Sequence, residues 1–251
     1  MMRSMFTILL AAVAMTACSE ETPLPLESDV RADLAHLGGA AAPQTFEVQV
    51  TNLTTGQPMT PPLAVTHRPA LRLFQVGRDA SKGIQEIAEN GNLAPMLAAV
   101  GSSRHVHDVV VAAGDPVPPL LPGEERSFTI QATAGTRWLS FAAMLICTND
   151  GFTGIDRLRL PRTVGASVTV ETNGYDAGTE LNTEDFDDLV PPCGPLTGVD
   201  SGGAGTGSSN PTLVEGGRIH HHDGIQGSGD LLVEVHGWTD PVTRVRVTRI
   251  Q

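Results

Sequence analysis

Aromatic residues are scarce: seven Phe, two Trp and one Tyr make up 4% of the 251 residues. Basic residues are also few, 16 against 28 acidic ones, for a formal charge of −12. That shortfall argues against nucleic acid or another polyanion as partner, because phosphate binding relies on clustered Lys and Arg. An acidic surface suits divalent cations instead. Past the N-terminal leader no apolar run approaches the roughly 20 residues that a membrane-spanning helix needs. Few rings together with 27 Gly and 18 Pro exclude a helical bundle and point to short strands joined by many turns. The length fits one large all-β domain or two small ones, with ample material for a core.

The N-terminus reads as an export signal over Met1–Ala17, with Arg3 as the positive region and Phe6–Met15 as a short apolar stretch. The string Met15-Thr16-Ala17-Cys18 resembles a bacterial lipobox, which makes Cys18 the expected lipidation site. An ordinary secretory signal cut at the same small residues is the alternative. In both cases the mature chain is exported, to the outer membrane or periplasm as a lipoprotein or to the cell surface. Removal of Arg3 makes it one charge more acidic. Cys147 and Cys193 then remain as a pair in an oxidising compartment, where a disulfide is the default and two buried free thiols the alternative.

Residues 18–44 are rich in Pro, Ala, Gly and acids and read as a lipidated, flexible tether. One domain over 45–251 follows. Phe46–Thr51 alternates as a half-buried strand, and Leu71–Val76 reads as a second. Ser81–Asn90 reads as a short helix capped by Ser81 and stopped by Asn90-Gly91, with another over Leu93–Val100 limited by Pro95. Further strands are expected at His105–Ala112, Ser127–Ile130, Trp138–Ile146, Ala166–Val170, Leu231–Val235 and Val245–Thr248. Trp138–Ile146 is continuously apolar, as a central strand covered on both faces would be. Asp200–Asn210 reads as a mobile surface loop, and Asp185, Asp187 and Asp188 as a solvated charge run. The fold expected is an all-β antiparallel sandwich with one or two short helices in its connections.

Three groups of residues carry potential chemistry. Thr148-Asn-Asp150-Gly-Phe-Thr-Gly154 and Tyr175-Asp176-Ala-Gly-Thr-Glu180 each place hard oxygen donors on a Gly-containing turn. Calcium takes about 6–8 oxygens in flexible geometry, so three carboxylates with carbonyls and water form a reasonable shell; such Asp-Gly pairs otherwise simply make turns. His220-His221-His222-Asp223 alternates imidazoles suited to zinc, nickel or copper, or forms a polar loop. His105-Val-His107-Asp108 is a smaller set that a half-exposed strand rim explains. Nucleophile-elbow, zinc-helix and phosphate-loop motifs are missing.

Met144–Asp156 and Tyr175-Asp176-Ala177-Gly178-Thr179 resemble the spondin N-terminal domain, whose Asp-Ala-Gly-Thr motif precedes an acid. The 26-residue interval between Asp150 and Asp176 agrees with the family spacing, and the resemblance covers roughly Thr45–Gln251. It implies a calcium-bearing β-sandwich in a non-catalytic, adhesive module, with Asp150, Asp176 and Glu180 as ligands. This sequence departs from the family at three places. Glu180 replaces an aspartate, Asn149-Asp150-Gly151 replaces Pro-Asp-Trp, and Ser127, close to Glu124 and Glu125, stands where the family has an upstream acid. The expected function is thus a calcium-binding module of the cell envelope that engages an envelope or extracellular protein or glycan and meets the membrane only through its lipid. The rival expectation is an envelope metal-dependent hydrolase using the His220–His222 region.

Overall fold

In β1 (Gln44–Asn52) Phe46, Val48, Val50 and Asn52 are buried in strict alternation, as a strand with one face on a core requires. The computed structural model describes residues 42–114, 118–199, 205 and 207–251. The export signal, Cys18 and nearly all of the tether lie outside the described residues, as does much of the 200–210 stretch. Among the described residues no helix is long and apolar enough to cross a membrane.

The other strands are β2 (Leu63–His67), β3 (Val106–Val111), β4 (Glu125–Ala132), β5 (Trp138–Met144), β6 (Gly151–Arg159), β7 (Ser167–Thr172), β8 (Gly174–Asp176), β9 (His220–His221) and β10 (Thr243–Arg249). They form two antiparallel sheets, ordered β4-β1-β10-β7 and β3-β2-β5-β6-β8-β9. Phe46, Val48, Val50, Ile130, Leu139, Phe141, Val245 and Val247 belong to one buried cluster drawn from both sheets. A second cluster contains Leu63, Val65, Ala142, Met144 and Phe152 with the helices α1 (Lys82–Asn90) and α2 (Ala94–Gly101). β5 therefore feeds alternate residues into two cores, which is why its sequence is apolar throughout. The all-β sandwich expected from the sequence is the fold, with the helices layered on the six-stranded sheet.

Ser81 caps α1, its hydroxyl accepting from Ile84 N at 3.2 Å, and Gly91 ends it at φ 63°. Two expected strands are corrected. Leu71–Val76 is an irregular connection: the adjacent Leu73 and Phe74 are buried, with Phe74 edge-on to Phe152, so anchored apolar side chains there imitate the apolar pattern of a strand. Leu231–Val235 is not a strand either. Val233–His236 forms a short helix, α4, which leaves Leu232 and Val233 exposed and buries Leu231 and His236. The remaining short helix, α3 (Cys193–Thr197), is tied to the turn after β5 by the Cys147–Cys193 disulfide.

Candidate metal centre

The turn from β5 to β6 is built by side chains that satisfy its own backbone. Thr148 Oγ1 donates to Leu145 O at 2.7 Å and accepts from Gly151 N at 2.8 Å. A Cβ on Gly151 would lie 2.4 Å from that hydroxyl, so the position requires glycine. Gln57, fully buried, donates to Cys147 O and His236 O and accepts from Cys147 N. With the disulfide beside it, this leaves Asp150 little freedom.

Asp150 is 0% exposed. Its Oδ2 accepts from Thr179 N (2.7 Å), Thr179 Oγ1 (3.0 Å) and Glu180 N (3.0 Å), while Oδ1 is buried with no hydrogen-bond partner. β8 pairs with β6 so that Asp176 lies opposite Gly151. Asp176 is also buried; its Oδ1 accepts from Gly178 N at 2.6 Å and its Oδ2 from Asn182 Nδ2 at 2.7 Å. Gly178 has φ 70°, and a Cβ there would meet Arg218 N at 2.5 Å, which explains the glycine of this motif. Burial, and next the Asp176 charge, push the Asp150 carboxyl up to about 7 against the hydrogen bonds of Thr179 and Glu180.

Glu180 is buried and points elsewhere: its Oε1 accepts from Asn210 N at 2.6 Å. Burial first, then the charges of Glu89, Asp150 and Asp188, push it up to about 7. Asp150, Asp176 and Glu180 thus share one end of the sheet, but among the described residues they do not offer one oxygen each within 4.8 Å of one another. None of the ion pairs among the described residues brings Lys or Arg to any of the three.

Glu89, on the last turn of α1, is 4% exposed; Oε1 accepts from Gln85 Nε2 at 2.8 Å and Oε2 is buried and unpartnered. Sequence reading missed it. The available signal was its place at the C-terminal end of a helix, where the dipole disfavours a carboxylate. Asp188, expected in solvent, accepts from Thr183 Oγ1 and Asn210 Nδ2 and so belongs to the frame around Glu180.

The histidines divide differently. His220 lies opposite Asp176 on β9, half exposed, with Nδ1 donating to Arg218 O at 2.9 Å and standing 3.7 Å from Asp176 Oδ1. His222 is buried against Trp238, and burial lowers its pKa, keeping it neutral. Its Nδ1 accepts from Gly224 N at 3.0 Å, which puts the proton of the neutral ring on Nε2, an atom buried without a hydrogen-bond partner. His105, His107 and Asp108 belong to the segment of β3, the opposite edge of the sheet from β9. Five strand intervals of about 4.8 Å separate the two histidine groups. His236 lies with Cys147 and Cys193 in a group within 4.8 Å, but the sulfurs are bonded to each other and are not thiolates.

The Spondin_N family profile matches residues 43–184, more than half of the chain, including Glu89, Asp150, Asp176 and Glu180 but not Asp188. The chain belongs to the spondin N-terminal family. No curated protein matches it. Spondin N-terminal domains are in general non-catalytic. The match stops before β9 and β10, so the strand that joins β1 to β7 in this spondin domain lies outside it.

Proposed function

We propose that this spondin domain is an exported, lipid-anchored, non-catalytic module of the cell envelope in which calcium organises the loops at one end of the six-stranded sheet. The observation that carries the reading is Asp150: a fully buried carboxylate beside a second one, with an unpartnered oxygen and, among the described residues, no ion pair with Lys or Arg. Groups of this kind call for a cation. The donors around it are oxygens, which fits a hard divalent ion such as calcium. Asp150 and Asp176 would hold it, and Glu180, whose Oε1 accepts from Asn210 N in this structure, would have to turn toward them to join, with Glu89 beside it as a further carboxylate. The ion would neutralise their mutual repulsion and hold the 148–151 and 176–182 turns as a rigid surface for an envelope or extracellular protein or glycan. Export and the Cys18 anchor rest on the leader sequence. The hydrolase alternative is disfavoured because His222 is buried and its Nδ1 is already engaged by Gly224 N.

Calorimetric titration of chelated protein with calcium, magnesium and zinc tests this. The expected result is calcium-selective binding that is lost in Asp150→Ala and weakened in Glu89→Gln. Binding unchanged in both variants, or a zinc response removed by His220→Ala, would overturn it.

A further inference from the structure

The acidic balance of the chain conceals a local excess of the opposite sign. Of the 16 basic residues only Lys82 is a lysine, and four of the arginines gather at the end of the sandwich remote from Asp150. β6 begins beside Asp150 and ends at Arg159 after nine residues, roughly 30 Å at about 3.3 Å per residue. Arg159 lies opposite Trp138 in the ladder, its guanidinium 5.7 Å from the centre of that ring. Arg137 precedes Trp138, and its carbonyl accepts from Leu160 N at 3.1 Å. Arg249, the last residue of β10, donates to the carbonyls of Arg162 and Gln251. Burial, and then the charges of Arg162, Arg159 and Arg249, lower the pKa of Arg137.

None of the ion pairs among the described residues supplies these four arginines with an Asp or Glu. Arg137 Nε is in addition buried without a hydrogen-bond partner. Like charges held together with no Asp or Glu paired to them raise the free energy of the isolated domain, and an anionic ligand lowers that cost. The planar fork of Arg matches the oxygens of phosphate.

The described chain also enters at this end. Gln44 opens β1 opposite Ala132, Thr45 N donates to Gln251 O at 3.1 Å, and the 133–136 turn leads directly to Arg137. Cys18 lies 26 residues before Gln44 in the chain, so an anchor at Cys18 attaches the domain to the bilayer through this end and not through the Asp150 end.

We propose that the pole formed by Arg137, Arg159, Arg162 and Arg249 seats on the phosphate groups of an anionic phospholipid surface. The choice of a membrane as occupant rests on the anchored reading above; the preference for phosphate rests on the arginines alone. Seated in this way, the domain presents its carboxylate end outward, roughly 30 Å from the headgroups.

The test is sedimentation of the Ser19–Gln251 chain, which lacks Cys18, with vesicles of phosphatidylcholine alone or mixed with phosphatidylglycerol. Chelator is present throughout, so that neither an acyl chain nor bridging calcium contributes. Binding is expected only to the mixed vesicles and falls with salt. Each Arg at an anionic surface is worth about fivefold, so Arg162→Ala should weaken binding by about that factor and Arg159→Glu with Arg162→Glu by at least about tenfold. Arg78→Glu with Arg246→Glu, the same change in net charge at exposed positions elsewhere, should leave binding within about twofold, with melting midpoints used to confirm folding. Equal sedimentation with both vesicle types would overturn the proposal, as would equal losses in the two double variants. Displacement by inorganic phosphate at matched ionic strength, without vesicle preference, would instead identify a site for a small oxyanion. Acylation of Cys18 in cells, read by mass spectrometry, tests the anchor separately.

Discussion

Asp150 divides its duties unevenly, one oxygen serving three donors and the other none. The folded-state pKa of this acid is raised to about 7. Without a cation it therefore lowers stability as pH rises from the unfolded carboxylate range through that value. Asp150→Asn in chelator should melt at or above the wild-type temperature at pH 8 while losing all response to calcium; a lower midpoint with the calcium response intact would contradict this. Glu184 is the reverse case. It is a buried residue at φ 60°, and its carboxylate accepts from Gln226 N and Ser228 N at 2.6 Å each. Burial opposes its ionisation, but the hydrogen bonds of the 226–228 turn prevail and lower the pKa. An acid with a depressed folded pKa contributes stability above its unfolded pKa and loses it as pH falls through the folded one. Glu184→Gln should therefore cost about 1–3 kcal/mol at neutral pH, and the difference should close toward pH 3 in melting curves. Asp150, Asp176 and Glu180 stood out in the sequence because their strings resemble the spondin motif and its spacing. Glu184 and Gln57 were not, since their partners lie 42 to 179 positions away and nothing local marks them.

Among the elements, those with strong local signals were read correctly. Ser81 and Gly91 bracket α1 by hydroxyl capping and a left-handed stop, and β1, β5 and β10 follow their apolar patterns. β2 and β6 escaped notice: Leu63–His67 is buried throughout and has no alternation, and β6 opens with the Gly-Phe-Thr-Gly string that resembles a turn. The misread Leu71–Val76 and Leu231–Val235 owe their burial to isolated anchors, Leu73 and Phe74 in the first and Leu231 in the second, which an apolar pattern cannot distinguish from pairing. Ser81→Ala should destabilise the protein by about 1 kcal/mol in denaturant unfolding. The disulfide closes a loop of 46 residues, for which chain entropy gives about 4 kcal/mol. Cys147→Ser with Cys193→Ser should lose stability of that order and, because Cys147 lies three residues before Asp150, also weaken calcium binding. A loss of stability with unchanged calcium affinity would show that the bridge does not hold the site.

At the scale of the whole molecule, net charge was a poor guide to distribution. A formal charge of −12 drew attention to the carboxylates at one end, yet it concealed Arg137, Arg159, Arg162 and Arg249, which come from three separate stretches of sequence and meet through the β5–β6 pairing and the end of β10. The two ends of β6 thus carry opposite charge. The central claim concerns the acidic end, and the most direct measurement is the thermal midpoint of chelated protein as calcium is added, with magnesium and zinc as controls. A ligand that binds only the folded state stabilises it by about 2.7 kcal/mol at a hundred times its dissociation constant. The account predicts a calcium-selective rise in midpoint that Asp176→Ala abolishes. A midpoint indifferent to calcium, or one raised equally in Asp176→Ala, would contradict it.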